Sequence, residues 1–400
     1  MRVKRYVLVL MTVLAVVGLR AQTEGDSLRV SLLTCAPGTE VYQLYGHTAL
    51  RVQDEGRGVD AVFNYGVFDF RTPHFTWRFV LGECDYMVAA YPFSAFLQEY
   101  EERGSQVTEQ VLALNADEKL RLFRNLATNA QPQNRTYRYN FLLNNCTTKA
   151  RDMVEQAVDG RVVYPEQDEY PTYREMLHRY TRDYPWAETG NDLLLGAPCD
   201  TVLSARACQF LPERLMQDME EAQIFDKDEN RRPLVGETHI ILPDAPEKRM
   251  KPAADSWQTR LVEWLTPFRA ALCLLGVALL VMVAEWRWRR MWWGVDAVLM
   301  MAQGIVGTLV CFMLLFSQHP TVDQNWQALV LNPLPLVCMP WVVRSARRRR
   351  TCLYHYANLL WLTLFVLFMA WIPQNFCAPM LPLALVLLTR SISYYLNYRR

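Results

Sequence analysis

Apolar and polar positions change rhythm along the chain. Four short segments, SLRVSLLTC (27–35), HTALRVQ (47–53), DAVFNYGVF (60–68) and CDYMVAAY (84–91), are β-branched or aromatic, partly alternating, and bounded by Gly, Asp and Pro, a pattern that predicts strands. DEGRG (54–58) is a turn signal that makes the second and third a hairpin. A helical period then takes over in SAFLQEYEER (94–103) and in DEKLRLFRNLAT (117–128), which follows a capping box of Asn115 and Glu118. It continues in a run that opens at Cys146, in PTYREMLHRY (171–180) and in LPERLMQDMEEAQ (211–223). Strands followed by helices predict an α+β domain over residues 22–258.

Past that point the pattern turns continuously apolar. Stretches at about 266–284, 294–316, 329–343, 353–372 and 379–397 are each near the length that crosses a hydrocarbon core, so residues 259–400 read as an all-α, five-span transmembrane domain. Pro333, Pro335 and Pro340 fall in the third stretch and are expected to kink it. MKPAADSWQTR (250–260) reads as the linker into the membrane. At the other end, residues 1–21 carry Arg2, Lys4 and Arg5, an apolar run from Tyr6 to Leu19, and Ala21 as a small cleavage residue, which predicts a signal peptide. EWRWRR (285–290), RSARRRR (344–350) and the terminal NYRR alternate with HPTVDQNWQ (319–327) and PQNFCAP (373–379), which lack Lys and Arg. By the positive-inside rule the Arg-rich ends are cytoplasmic, so five spans start outside and finish inside and the soluble block is exported.

Composition and charge support that division. The chain is 51% hydrophobic with 17 Gly and 21 Pro, which excludes collagen-like and disordered classes. Its net charge of +1 is a mean of roughly +9 from residue 260 onward, +4 in residues 1–21 and −12 between them. The positive charge sits at membrane boundaries, so no basic patch for a nucleic acid is expected.

Five cysteines fall in the exported block: Cys35, Cys84, Cys146, Cys199 and Cys208. An oxidising compartment favours pairing. Cys199 and Cys208 flank a short loop, and Cys35 and Cys84 end two predicted strands, so these four are expected as disulfides and Cys146 as the odd thiol. Asn144 and Asn145 precede Cys146, and Cys146, Ala150, Met153, Val154 and Ala157 share one helix face. An Asn cap puts the sulfur in the first turn, where unsatisfied N–H groups favour a thiolate and can hold an oxyanion. A buried core cysteine is the bland alternative.

A nucleophilic thiol needs a base. Among His47, His74, His178 and His239, His47 follows Gly46 and begins a strand, which projects its ring from a rigid element. In the predicted hairpin, residues near 64–66 face it, so Asn64 is the first candidate to hold the imidazole, with Tyr65 and then Asp60 behind it. Gly46, Tyr65, Asn145 and Thr147 flank the pair and are expected to line the substrate site. HExxH, CxxC and His-x-His clusters are absent, so neither metal nor other cofactor is expected.

At LLTCAPGTEVYQLYGHTALRV, FNYGVFDF and LLNNCTTKARD, and again at SQHPTVDQNWQALVLNPLP, the sequence resembles the Lnb family of lipoprotein N-acyltransferases. The resemblance implies a circularly permuted papain-like thiol fold, of the NlpC and lecithin:retinol acyltransferase type, ahead of the transmembrane domain. It carries the family's base onto His47 and its nucleophile onto Cys146; Asn64 rests on the hairpin argument alone. It also implies a phospholipid acyl donor, diacylated lipoproteins as acceptors, a Cys thioester intermediate and a place in the bacterial inner membrane with the exported block in the periplasm. Trp326, on the outward loop, is then a candidate head-group contact, and a monomer is expected. The competing readings are a periplasmic thiol hydrolase of cell-wall peptide or lipoprotein, and a scaffold without catalysis.

Overall fold

The computed structural model describes residues 27–69, 71–249 and 256–398. The predicted signal peptide and most of the linker, residues 250–255, lie outside the described residues. The chain divides into two compact units, Met1–Pro171 with Val202–Pro252, and Thr172–Thr201 with Ala253–Arg400. The periodicity places the break near residue 258, but the segment 172–201 belongs with the C-terminal unit.

The first unit is built on an antiparallel sheet of seven strands. In chain order these are β1 (Leu28–Cys35), β2 (His47–Asp54), β3 (Val59–Val67), β4 (Asp85–Pro92), β5 (Val107–Leu112), β6 (Thr136–Arg138) and, after a separate three-stranded sheet of β7 (Arg161–Val163), β8 (Gln223–Phe225) and β9 (Arg231–Pro233), β10 (Val235–Leu242). Their spatial order is β10-β5-β1-β2-β3-β4-β6. The β2–β3 hairpin turns through Glu55–Arg57 and Gly58, whose φ of 65° suits a residue without a side chain.

Alternation along the strands gives the sheet two apolar faces. Val30, Leu32, Leu50, Val52 and Phe63 point to one side, where they pack with Leu122, Leu126, Ala150 and Val154. Those partners come from two helices, Ala116–Asn129 and Cys146–Ala157. Leu33, Ala49 and Val62 point to the other, against Phe96 and Tyr100 of the helix Phe93–Arg103. With the helix Phe75–Leu81 these are, in chain order, α1 (Phe75–Leu81), α2 (Phe93–Arg103), α3 (Ala116–Asn129) and α4 (Cys146–Ala157). The capping box of α3 forms as its sequence predicts, with Asn115 and Glu118 bonding each other's backbone N–H at 2.9 Å.

The periodicity passes over β5. Its residues Glu109 and Gln110 are polar yet buried, because Glu109 pairs with Arg51 at 3.0 Å and Gln110 donates to Glu220 at 2.6 Å and to the Met216 carbonyl at 3.0 Å. Partnered side chains of this kind let a central strand carry charge that an alternation pattern cannot anticipate.

The expected disulfides do not form. Cys35 and Cys84 are free thiols. β2 and β3 lie between Cys35, which ends β1, and Cys84, which precedes β4. Three strand spacings amount to about 14 Å, twice the Cα separation a disulfide can bridge. Cys199 is also a free thiol, so its bridge to Cys208 is absent; Cys199 belongs to the second unit and Cys208 to the first.

The second unit contains α5 (Tyr173–Thr181), α6 (Pro185–Leu194), α7 (Pro267–Trp288), α8 (Trp293–Phe316), α9 (Leu334–Arg347), α10 (Leu353–Phe368) and α11 (Met380–Tyr398). Among the described residues four stretches are long and apolar enough to cross a membrane: Pro267–Trp288, Trp293–Phe316, Trp326–Arg347 and Leu353–Trp371. The count is four where the hydropathy pattern predicts five. α11 covers the predicted fifth span, but it buries a polar face: Arg390 bonds Asp296 at 2.8 and 3.0 Å and Glu285 at 2.8 and 2.9 Å, and all three side chains are fully enclosed. Glu285 and Asp296 are thus consumed in a clamp joining α7, α8 and α11.

Segment 172–201 is held in this unit by a second polar set. Arg174 bonds Asp192 at 2.6 Å and Asp200 at 2.8 Å, and Asn375 donates to Asp200 at 2.9 Å. Asn325 donates to the Leu193 carbonyl at 2.9 Å and Gln374 to that of Leu195 at 3.2 Å.

Candidate functional site

The site in the first unit begins where a ladder ends. β2 and β3 pair from Asp54↔Val59 to Leu50↔Phe63 and no further, and a register shift in β3 separates Asn64 from Val67. Gly66, at φ 85°, carries the chain through that irregularity, and a Cβ there would sit 3.7 Å from Cβ of Cys146 and 3.8 Å from the Tyr139 ring. The first residues of β2, still paired with β1 on one side, therefore face a notch on the β3 side. The N-terminus of α4 fills it.

α4 starts at Cys146 because Asn145 caps it. Asn145 Oδ1 accepts from the N–H groups of Thr147 and Thr148, both at 2.9 Å, while Thr148 Oγ1 accepts from Asn145 N–H at 2.9 Å. The amide Nδ2 of Asn145 donates to the carbonyls of Phe141 and Phe210, both at 2.8 Å. Asn145, expected to line the substrate site, is thus fully occupied in building the helix start. Its cap leaves the N–H of Cys146 itself as the first-turn donor it does not use.

Around the sulfur, His47, the Thr48 backbone N–H and the Thr147 hydroxyl converge. Burial pushes the thiol up, but the imidazolium charge and hydrogen bond of His47, with the Thr48 and Thr147 bonds, outweigh it and bring Cys146 down to about 7. His47 moves the opposite way: burial lowers it, and the Cys146 thiolate with the Asn64 carbonyl raises it above its ordinary value. Thr147 Oγ1 also lies 3.2 Å from Thr48 Oγ1, tying α4 to β2.

Asn64 Oδ1 is hydrogen-bonded to Nε2 of His47, and Asn64 Nδ2 donates to the Tyr91 hydroxyl on β4. With Nε2 engaged, Nδ1 is the nitrogen left for the thiol. The structure therefore brings Cys146, His47 and Asn64 into one hydrogen-bonded row.

Other sequence candidates have different places. Gly46 has φ 75°, and a Cβ on it would meet the Cys35 carbonyl oxygen at 2.6 Å, so it serves the close passage of β2 past β1. Tyr65 is buried in the core, its hydroxyl accepting from Asn129 at 3.0 Å. Asp60 pairs with Arg51 at 2.8 Å. Trp326 lies in the second unit, its backbone N–H donating to Gln374 at 2.7 Å and its indole partly exposed. Among the described residues there is no His, Cys, Asp and Glu group suited to a metal.

Tyr91, Thr48 and Gly66 escape a sequence reading. Gly66 is visible as a glycine inside a strand pattern. Tyr91 becomes relevant only through the β3–β4 register, which pairs it with Val62, two residues before Asn64 on the same face.

Comparison with known families agrees with this architecture. Residues 17–179 match the Lnb N-terminal periplasmic domain, and residues 259–400 match the Lnb transmembrane domain. The chain belongs to the Lnb family. It is therefore a membrane protein with a periplasmic α/β domain ahead of a helical membrane region, and this member of the Lnb family carries its Cys146–His47–Asn64 row inside the matched periplasmic domain. No curated protein and no solved structure matches it.

Proposed function

We propose that this Lnb-family protein is a membrane-bound lipoprotein N-acyltransferase that moves a fatty acyl chain from a phospholipid to the α-amine of an N-terminal diacylglyceryl-cysteine. The observation that carries the reading is the lowered Cys146 thiol beside an Asn64-held His47, in a chain whose other unit crosses the membrane. The order His47, Asn64, Cys146 suits the permuted papain-like thiol arrangement.

In the first half-reaction the Cys146 thiolate attacks the carbonyl carbon of a phospholipid ester. The oxyanion is held by the Cys146 N–H at the start of α4. Collapse breaks the ester C–O bond, and His47 gives its proton to the departing lysophospholipid alkoxide, leaving a thioester and a neutral imidazole. In the second, the lipoprotein amine attacks the thioester carbonyl, His47 takes the amine's proton, and the thiolate leaves, restoring the ion pair. An amide replaces the thioester and no cofactor is consumed. Both substrates are anchored in a bilayer, which accounts for four spanning helices in a chain whose chemistry needs only the soluble fold.

The test is mass spectrometry of lipoprotein N-termini from cells with the gene deleted and then complemented. Diacylated forms accumulate on deletion, and wild-type protein but not Cys146→Ser converts them. Absence of diacylated forms after deletion, or full conversion by the Ser variant, overturns the assignment. Purified protein given labelled phospholipid acquires a hydroxylamine-labile acyl group; failure to label excludes the thioester route.

A further inference from the structure

We propose that the connections at one end of the seven-stranded sheet, the end that holds His47 and Cys146, form an apolar rim that enters the periplasmic leaflet of the bilayer. Three connections meet there: β1–β2, which runs into His47; β3–β4, which contains α1; and the turn after β6, which runs into Cys146. The antiparallel order puts all three at the same end. Among the described residues of this unit, most of the exposed large apolar side chains lie on them. Val41 and Tyr42 on the first are 64% and 63% exposed, Leu143 on the third is 60% exposed, and Trp77 and Phe79 stand out from α1. The opposite turn of the β2–β3 hairpin, Asp54 to Gly58, carries no apolar side chain. Single apolar residues are ordinary on a soluble surface, whereas a group of them on adjoining loops marks a contact.

The first and third connections adjoin each other and the site. The rings of Tyr45 and Phe141 lie 4.8 Å apart, and Phe141 meets Phe210 edge-on at 5.9 Å. The carbonyls of Phe141 and Phe210 both accept from Asn145, the cap of α4. Both turns also satisfy their own backbone. Asn140 Oδ1 accepts from the N–H groups of Leu142 and Leu143 at 3.1 and 3.0 Å, and Asn140 and Asn144 exchange backbone hydrogen bonds at 3.1 and 2.9 Å. The Gln43 N–H donates to the Glu40 carbonyl at 2.7 Å, and the Gln43 carbonyl accepts from Gly38 and Gly46 at 3.0 and 3.1 Å. Backbone groups already paired can leave water at little cost, which a lipid occupant requires and a protein partner adding a strand does not.

The path of the chain points to the same occupant. β10, the last strand before the linker, ends at Leu242, which pairs with Val107; Val107 pairs with Cys35, and Cys35 with His47. The chain therefore leaves for its membrane spans from the end of the sheet that carries the base. A rim in the leaflet there lets an acyl ester reach Cys146 without its chains crossing water.

The inference rests on the acyl-transfer reading for its purpose, delivery of a bilayer lipid to the thiol, but its test needs no turnover. The photo-crosslinking residue p-benzoylphenylalanine replaces Leu143 or, at the opposite turn, Glu55, in full-length protein reconstituted into vesicles of phosphatidylethanolamine with a minor share of phosphatidylglycerol. On irradiation, the peptide containing position 143 gains the mass of a phospholipid, and the peptide containing position 55 does not. Tyr42→Glu lowers the adduct at 143 on the order of tenfold, the equilibrium cost of withdrawing an apolar side chain from hydrocarbon. Iodoacetamide labels Cys146 in that variant as in the wild type, which separates withdrawal of the rim from a disturbed site. Should Tyr42→Glu slow the alkylation, Val41→Glu is read in its place.

No lipid adduct at 143, equal adducts at 143 and 55, or adducts at 143 only to a second copy of the chain overturn the rim. Lipid adducts at 143 together with unchanged lipoprotein N-termini in deleted cells uphold the rim and overturn the transferase reading, and the reverse combination overturns the rim alone.

Discussion

Nε2 of His47 is hydrogen-bonded to Oδ1 of Asn64, and the amide of Asn64 is in turn fixed by the Tyr91 hydroxyl, to which its Nδ2 donates. In that orientation the amide presents its oxygen, not its NH2 group, to the ring. The ring nitrogen facing Asn64 must then carry a proton, and Nδ1 is left as the acceptor for the thiol. The hydroxyl stays protonated at any physiological pH, since burial pushes Tyr91 up to about 12 against the opposing Asn64 bond.

Tyr91→Phe removes that restraint without emptying space. The expected result is a fall in N-acylation on the order of ten- to a hundredfold, a fraction of a full acid–base contribution, with the pH midpoint of Cys146 alkylation displaced upward. Asn64→Ala shows the same displacement, larger. An unchanged midpoint in Tyr91→Phe would mean that the hydroxyl plays no part in orienting His47.

The thiolate–imidazolium pair gives a pH dependence of known sign. A thiol reacts as its anion, which exists above its pKa, so iodoacetamide labels Cys146 at a rate that rises with pH around a midpoint near 7 and levels off above it. In His47→Ala the opposing cation and its hydrogen bond are gone while burial remains, and the midpoint moves above the ordinary 9. A wild-type midpoint near 9 would exclude the ion pair.

Gly46 sits where no side chain fits. Gly46→Ala sets a Cβ against the Cys35 carbonyl oxygen in a backbone conformation at φ 75°, at a cost of about 1–3 kcal/mol. Because β2 must shift to accommodate it, His47 moves with it. Thermal unfolding at lower temperature accompanied by slower Cys146 alkylation is the expected outcome; loss of neither would show that the strand start is plastic.

Arg390 neutralises two enclosed carboxylates in the second unit. Arg390→Met strands both and is expected to cost about 3–5 kcal/mol, read as loss of folded protein in membranes. Replacing all three charged residues together with Met, Gln and Asn restores accumulation, because no buried charge is then left unpaired. If the single Met variant accumulates normally, the cluster has another role than clamping α7, α8 and α11.

The thiols give a direct check on the sheet order. Protein denatured without reductant and treated with iodoacetamide carries label on both Cys35 and Cys84. A Cys35–Cys84 peptide linked by a disulfide would contradict the placement of β2 and β3 between them.

Local patterns determined much of this protein without any fold. The four leading strands, the β2–β3 hairpin and the capped helices α3 and α4 all rest on interactions within a few residues or on one turn, so alternation, period and cap residues suffice to read them. Asn64 followed from hairpin geometry for the same reason. The Cys146–His47 pairing, far apart in sequence, was legible only from chemistry, an odd thiol needing a base, and from the family resemblance. Three things needed the tertiary structure. The polar strand β5 exists because Glu109 and Gln110 find partners on β2 and in the chain around Glu220. Cys35 and Cys84 remain apart because two strands intervene, and α11 is polar because Arg390 meets acids from two other helices. The same holds at the site: the proximity of Tyr91 to Asn64, and of the Tyr139 ring to Cys146, arises from strand order and a bulge at Gly66. Contacts between residues tens of positions apart depend on which strands become neighbours, and no periodicity encodes that.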